Sequence, residues 1–411
     1  MCHAQNQTKL NGFGRNFARS AYTMSSESGA QSLIDGEALG LGIPMVLNMS
    51  LMLKGRFEKS DGAINGKGRV LETSPEGEPI DSNRGIHEVF KTSTLNVAGR
   101  VANNVGALIE FREKEGKAII GGKAAAAFEM GSGYGGLSLF STNNYGPFTG
   151  MESYNTGLYK PLRQFENHKL TNAIQAADLG SGAATGVQLY YGGESLYMTL
   201  GAYVPAHNPD GIDIGSSLIP FARLAYEQPI GEMTLIAGAY GIKGSAKASN
   251  TVIDPSLIGY IDQALVEIEK EAYGIDLQLE GDIAEFSTML TLAAVFKNKT
   301  TLSDPYLMGD DTLDIYGEPS DGDMQAYSID LCVHPWPSFG LKAAYLRLDD
   351  RGDHPLEPDK IDAKDKAAFT IGFDYSFRQN IMATMEYSII DAKREDVENY
   401  NDLLAVLTIA F

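Results

Sequence analysis

The chain has 411 residues, 43% of them apolar and 21% charged, with two cysteines and a formal net charge of −20. Two cysteines exclude a disulfide scaffold or a multi-zinc protein, the apolar content excludes a disordered polyanion, and the charge excludes nucleic acid, whose phosphates would be repelled. No run of about 18 apolar residues occurs, so a helical membrane protein is excluded, whereas 45 Gly, 20 Tyr and 17 Phe suit strands and tight turns.

Residues 1 to 40 precede any strand-like alternation and form a unit separate from residues 41 to 411. They open Met1-Cys2-His3 and continue through Leu10-Asn11, Phe13-Gly14-Arg15 and Phe17. A Cys next to a His is half of a c-type haem attachment, in which two thiols form thioethers and the imidazole becomes the proximal iron ligand. The thiol expected three residues before Cys2 would precede Met1, so the complete C-x-x-C-H is not in the chain.

From about Gly40 onward apolar residues recur at every second position. Ala367, Phe369, Ile371, Phe373, Tyr375 and Phe377 form one face, against Thr370, Gly372, Asp374, Ser376 and Arg378 on the other. A soluble sandwich would not accept the charges on that second face as core. About sixteen such strands are predicted, near 45–58, 88–100, 105–113, 118–129, 135–141, 184–191, 195–204, 218–228, 231–241, 272–280, 282–296, 324–333, 338–348, 367–377, 380–391 and 402–411. Short turns, such as Asn103-Asn104, Glu280-Gly281-Asp282 and Pro335-Trp336-Pro337, alternate with mostly longer links, the short link near 114–117 excepted. That rhythm predicts an all-β fold: a transmembrane antiparallel β-barrel with short periplasmic turns, long external loops and both ends in the periplasm.

Inward parity collects Lys54, Arg56, Arg100, Glu110, Arg112, Asp276, Gln278, Asp330, Lys342, Asp374 and Glu386, read as a polar lining in which neighbouring strands pair their charges. The 142–183 link carries Lys160, Arg163, Glu166 and Lys169 and sits where many sixteen-stranded porins fold a loop into the bore. Leu257, Ile261, Leu265 and Ile268 have helical spacing, which predicts a short amphipathic helix on the rim. The acidic links near 297–323 and 349–366, with Asp310, Asp311, Asp314, Asp353, Glu357 and Asp359 among others, are read as solvated loops or loops tied by Ca²⁺. Cys332 has no evident partner and is read as a free structural thiol.

In the last strand Leu403, Ala405, Leu407, Ile409 and Phe411 share one parity. A terminal aromatic on such a strand resembles the assembly signal of bacterial outer-membrane barrels. With Cys2-His3, Leu10-Asn11, Phe13-Gly14-Arg15 and Phe17 ahead of a sixteen-strand pattern, the chain resembles the outer-membrane fused monohaem cytochrome c and porin family, whose best-known members are iron-oxidising cytochromes. The motif match covers about the first 17 residues, and the remainder resembles bacterial general porins by strand rhythm.

That resemblance implies a bacterial outer-membrane protein in contact with lipid. It would pass electrons from extracellular Fe(II) through one haem c, with Cys2 holding the porphyrin and His3 the iron, to a periplasmic cytochrome. Haem is expected only if the chain is extended upstream to complete C-x-x-C-H, and a start assigned at an internal Met within C-x-Met-C-H would account for both the missing thiol and the missing signal peptide. A sixth iron ligand would come from a Met or His, with Met24, Met45, Met49, His87, His168, His207, His334 and His354 as candidates. Met45 and Met49 share the lipid-facing parity and are read as packing residues. The alternative is a cation-preferring diffusion porin without haem, and a third reading, an adhesin or phage receptor, rests on loop length alone. Porins of this size imply a homotrimer, with no interface legible in the sequence. No G-x-S-x-G motif is present, and the pattern assigns no enzymatic reaction.

Overall fold

The computed structural model describes residues 12–23, 48–60, 85–90, 93–114, 117–142, 146–150, 164–177, 179, 182–207, 217–248, 266–302, 320–350, 365–378, 380–392 and 399–410. A helix, α1 (Gly12–Arg19), precedes the strands. The first half of the sheet is β1 (Asn48–Ser60), β2 (Ile86–Val89), β3 (Thr94–Ala102), β4 (Val105–Lys114), β5 (Lys117–Met130), β6 (Gly133–Thr142), β7 (Ala184–Gly192), β8 (Leu196–Val204) and β9 (Ile219–Ile230). The second half is β10 (Met233–Ala248), β11 (Val266–Ile283), β12 (Phe286–Leu302), β13 (Ser320–Trp336), β14 (Phe339–Asp350), β15 (Lys366–Arg378), β16 (Ile381–Ala392) and β17 (Tyr400–Ala410).

Apart from β2 and β3, each strand pairs antiparallel with its neighbours in sequence, and β1 closes the ring by pairing with β17 from Met52↔Ala410 to Ser60↔Asp402. On its other edge β1 pairs with both β2 and β3, which are two pieces of a single stave, so seventeen segments make the sixteen staves predicted from sequence. The break falls at Phe90, whose φ is 63°. The Phe90 N–H still donates to Lys54 O at 2.8 Å across the interruption. A closed ladder leaves no edge, so the backbone of the staves is satisfied inside the sheet.

Side-chain alternation then does the sorting. On β15, Phe369 and Ile371 are 46% and 49% exposed on the outer face, while Thr370 and Asp374 on the inner face are 0% exposed. In β17 Leu407 lies outside, and Asp402, Leu404, Val406 and Thr408 are buried inside. Phe411 lies outside the described residues. Met49 is exposed on the outer face, as its parity predicts.

The outer face changes character along β10 to β12. Leu235, Ala239, Ile275 and Leu292 give way to Lys243, Lys247, Glu267, Glu269, Glu271 and Lys297. These pair across strands: Lys243–Glu271 at 3.3 Å, Lys297–Glu271 at 3.1 Å and Lys247–Glu267 at 3.8 Å. An apolar belt that ends in charges marks where the strands leave the bilayer. Tyr273 and Phe296, with ring centroids 6.5 Å apart, sit at that level. Trp336–Phe339 and Tyr375–Phe377 mark the short-turn end as aromatic girdles do.

Three boundaries differ from the sequence expectation. β11 runs through Gly281, and the turn is Ala284-Glu285, both at positive φ (49° and 70°). A pair of left-handed residues matches the strand twist in a two-residue hairpin, but Ala and Glu do not advertise it. Pro335 and Trp336 belong to β13, where the register shift between Val333 and Trp336 accommodates a residue without an N–H. The 242–271 and 297–323 links are shorter than predicted because β10 to β13 continue into them. Ile268, expected in a rim helix, is an inward residue of β11, while Leu257, Ile261 and Leu265 lie outside the described residues. The 114–117 link is a tight hairpin, since β4 ends at Lys114 and β5 begins at Lys117.

Ile371 is central on its strand and faces outward, so Ile371→Lys should destabilise the folded barrel in bilayers by about 2–4 kcal/mol, measured by denaturant titration. The same change at outward Ser245, beyond the apolar belt, should cost little.

Candidate functional site in the barrel lumen

All eleven residues assigned inward by parity line the lumen. Lys54, Asp276, Gln278, Asp330, Lys342, Asp374 and Glu386 are buried, and Arg56, Arg100, Glu110 and Arg112 half-buried. Charges do pair, along one strand or across an intervening one as well as between neighbouring strands as expected. Arg223 reaches Asp276 bidentately at 2.6 and 3.0 Å, and Arg56 meets Glu58 at 2.5 Å. The first of these pairs spans an intervening strand at Gly238, where a Cβ would come within 2.6 Å of the guanidinium and 2.8 Å of the carboxylate. Glycine there is a requirement of the ion pair.

Among the described residues, two pieces of chain enter the lumen. At the short-turn end lies α1. Arg15 and Arg19 share one side of the helix and turn it toward the wall. Arg15 bonds Glu227 at 2.9 Å and Glu280 at 2.8 Å. Arg19 bonds Glu227 at 3.2 Å and Gly193 O at 2.8 Å, and the Tyr190 hydroxyl donates to Arg19 O at 2.9 Å. Burial opposes the charge on Arg15, but Glu280 and Glu227 outweigh it and lift the guanidinium further above its ordinary value. The helix ends with Ala21 and Tyr22 at φ 55° and 61°, and the Tyr22 N–H returns to Phe17 O at 3.0 Å, a left-handed C-terminal cap. Phe17 packs edge-on against Tyr22, and the Lys123 ammonium lies 5.7 Å from the Tyr22 ring.

The second piece, residues 164–179, comes from the predicted inward loop. Lys54 bonds both oxygens of Glu166 at 2.9 Å. The Glu386 carboxylate accepts the backbone N–H groups of Glu166 and Asn167 at 2.6 and 2.8 Å. Lys342 donates to Gln164 O at 2.8 Å, Gln164 to Thr291 at 2.8 Å, and Asn167 to Asp402 at 3.1 Å. Asn172 caps the short helix α2 (Ala173–Ala176) by accepting from Ile174 N at 2.9 Å. Beyond that polar collar, Leu170, Ile174 and Leu179 enter an apolar core with Tyr203, Phe221, Ile242, Val295, Met324 and Leu346. Of the predicted constriction residues, Glu166 sits in the lumen and Lys169 is exposed, while Lys160 and Arg163 lie outside the described residues.

Cys2 and His3, the haem positions suggested by resemblance, lie outside the described residues, as do Met24, Met45, His354 and most of the acidic links. His87 is exposed against Phe57, with ring centroids 4.8 Å apart, and His168 is half-buried in the inserted segment. His207, beyond β8, has Nδ1 2.6 Å from Ser141 Oγ, and burial lowers its pKa below the ordinary value. Cys332 is a free, buried thiol as expected, but it has a polar neighbour: its Sγ lies 3.8 Å from His334 Nδ1, and His334 Nε2 lies 3.3 Å from Asp374 Oδ1. A period-2 reading places Cys332 and His334 on one face but gives no view of which distant strand lies beside them. The anchors Glu227 and Glu280 were missed for the same reason.

No family model and no curated protein matches the chain. Among solved structures, the loop L8 deletion mutant of OmpT, an outer membrane protein of Vibrio cholerae, is 12% identical, with 89% of this chain and 99% of that one covered at a TM-score of 0.48. The outer membrane channel DcaP of Acinetobacter baumannii is 14% identical, with coverage of 89% and 97% and a TM-score of 0.47. OpdK of Pseudomonas aeruginosa, solved with vanillate, is 9% identical, with coverage of 88% and 98% and a TM-score of 0.43. At such identities the likeness is one of outline, and class follows from this chain's own closed ladder and apolar belt. The chain is an outer-membrane β-barrel. Its short turns therefore face the periplasm, α1 occupies the periplasmic mouth, and residues 164–179 constrict the bore above it.

Replacing both anchors, Glu227→Gln with Glu280→Gln, leaves Arg15 buried without a counter-charge, a loss of about 3–5 kcal/mol. The barrel should remain folded while α1 leaves the mouth, read as new protease cleavage within residues 12–23.

Proposed function

We propose that this outer-membrane barrel is a diffusion channel for small solutes, narrowed at two levels by α1 and by residues 164–179. The observation that carries this reading is the attachment of the inserted segment: charges of both signs from β1, β14 and β16 hold it, as a constriction must be held if water and solute pass beside it. The chain's net charge of −20 favours cations at the mouths. Reconstituted in planar bilayers, the protein should conduct with a preference for cations. Glu386→Leu orphans two backbone N–H groups at about 1–3 kcal/mol each, so the segment should loosen and single-channel conductance should rise. A folded barrel that stays silent even after removal of residues 1–23 would end the reading.

A second reading, electron transfer from extracellular Fe(II) to a periplasmic cytochrome, is favoured by one observation. The described part of the matched stretch, Phe13 to Phe17, belongs to the helix seated in the periplasmic mouth. Haem c would supply the one-electron carrier, Cys2 and His3 would hold it, and Arg15 and Arg19 would fix the segment that bears it. Expressed with its upstream sequence and cytochrome c maturation factors, the wild type should give a reduced-minus-oxidised haem spectrum. His3→Ala should abolish or strongly shift that spectrum without affecting barrel insertion. A wild type without haem removes this reading and leaves the channel untouched.

A further inference from the structure

We propose that Cys332, His334 and Asp374 form a lumenal binding site for one divalent transition-metal ion. Cys332 and His334 lie two apart on β13, so the pleat turns both into the lumen, and Asp374 projects from β15. The strand between them contributes Gly340, which pairs with Asp374. Donor atoms of the three side chains all lie within 4.8 Å of one another, and all three residues are buried.

Three features separate this cluster from an ordinary packed trio. A buried thiol usually sits among apolar atoms, but Cys332 faces an imidazole at 3.8 Å and, beyond it, a carboxylate. Space is also reserved. A Cβ on Gly340 would come within 2.6 Å of His334 Nε2 and 2.8 Å of Asp374 Oδ2, so any larger residue would fill the gap that these two donors face. Finally, the donor set is mixed. Thiolate, imidazole and carboxylate together suit Zn(II), Fe(II) or Co(II), whereas Ca²⁺ and Mg²⁺ take oxygen alone.

Lys342 sets the affinity. Its ammonium lies 3.1 Å from Asp374 Oδ2, and it also donates to Gln164 O at 2.8 Å. It competes with an ion for one carboxylate oxygen while the other faces His334. Binding releases protons from both Cys332 and His334 to solvent, leaving thiolate and neutral imidazole as ligands, so affinity rises with pH. The site lies on the periplasmic side of the constriction.

The test uses the full-length barrel in detergent, with Cys2→Ser so that Cys332 is the sole thiol. After chelation, titration with Co²⁺ should saturate at one equivalent and produce a thiolate-to-cobalt charge-transfer band with the visible bands of a four-coordinate ion. Cys332→Ser should lose that band, and Gly340→Ala, which keeps every donor, should weaken binding by at least about tenfold. Lys342→Met should strengthen it. Heat-modifiable migration establishes that each variant is folded. For any that is not, protection provides the second arm: Zn²⁺ should shield Cys332 from alkylation in the otherwise unsubstituted barrel. No stoichiometric cobalt band, no zinc protection, or a folded Gly340→Ala barrel that binds as well as its parent overturns the site.

Discussion

Closure of the ladder between β1 and β17 is the constraint on which the rest of this molecule depends. With the backbone of the staves satisfied in the wall, side chains are released from supplying hydrogen bonds to it, and the two faces can answer to different surroundings. Outward residues meet lipid and are apolar. Inward residues meet each other and the two inserted pieces, so Arg223, Asp276, Lys342, Asp374 and Glu386 can all be buried without isolation. Removing any one partner strands the other in a poor dielectric, which makes the lumen a tightly coupled network rather than a set of independent contacts.

The wall was legible in the sequence because a barrel strand repeats its logic every two residues. Phe369, Ile371 and Phe373 against Thr370 and Asp374 needed no knowledge of any other strand. Turns were legible where Gly or Asn announced them and were misplaced where they did not, as at Ala284-Glu285, where the hairpin geometry overrides residue preference. Gly281, which looked like a turn, is instead a within-strand position at φ 146°. Helical spacing around Ile268 misled for a different reason: outside the bilayer the outer face of β11 becomes charged, so Glu267, Ile268 and Glu269 carry a strand alternation too short to outweigh the longer helical one.

The lumen's contents were legible only in part. A long 142–183 link pointed to an inserted loop, and Glu166 proved to be one of its anchors. What holds α1 could not be read, since Arg15 and Glu227 are 212 residues apart and no local pattern joins them. The same holds for Cys332, His334 and Asp374. Pairings between distant strands arise from register, and small residues carry much of that information: Gly238 and Gly340 are each the gap through which charged or ligating side chains on the flanking strands meet.

Along β11 one strand passes through two solvents. Its 18 residues are well beyond the roughly 9–11 that a barrel strand needs to cross a membrane, and above Tyr273 its preferences reverse, with Glu269 and Glu271 outside and Ile268 and Ala272 inside. The outer storey of the barrel is thus organised like a water-soluble β-barrel, with an oily centre gripping Ile174 and Leu179, stacked on a lower storey organised for lipid. The upper storey draws its cohesion from water. Its grip on Ile174 and Leu179 therefore does not draw on bilayer thickness or lipid composition, whereas the polar collar of Lys342 and Glu386, in register with Gly372, lies in the storey that does.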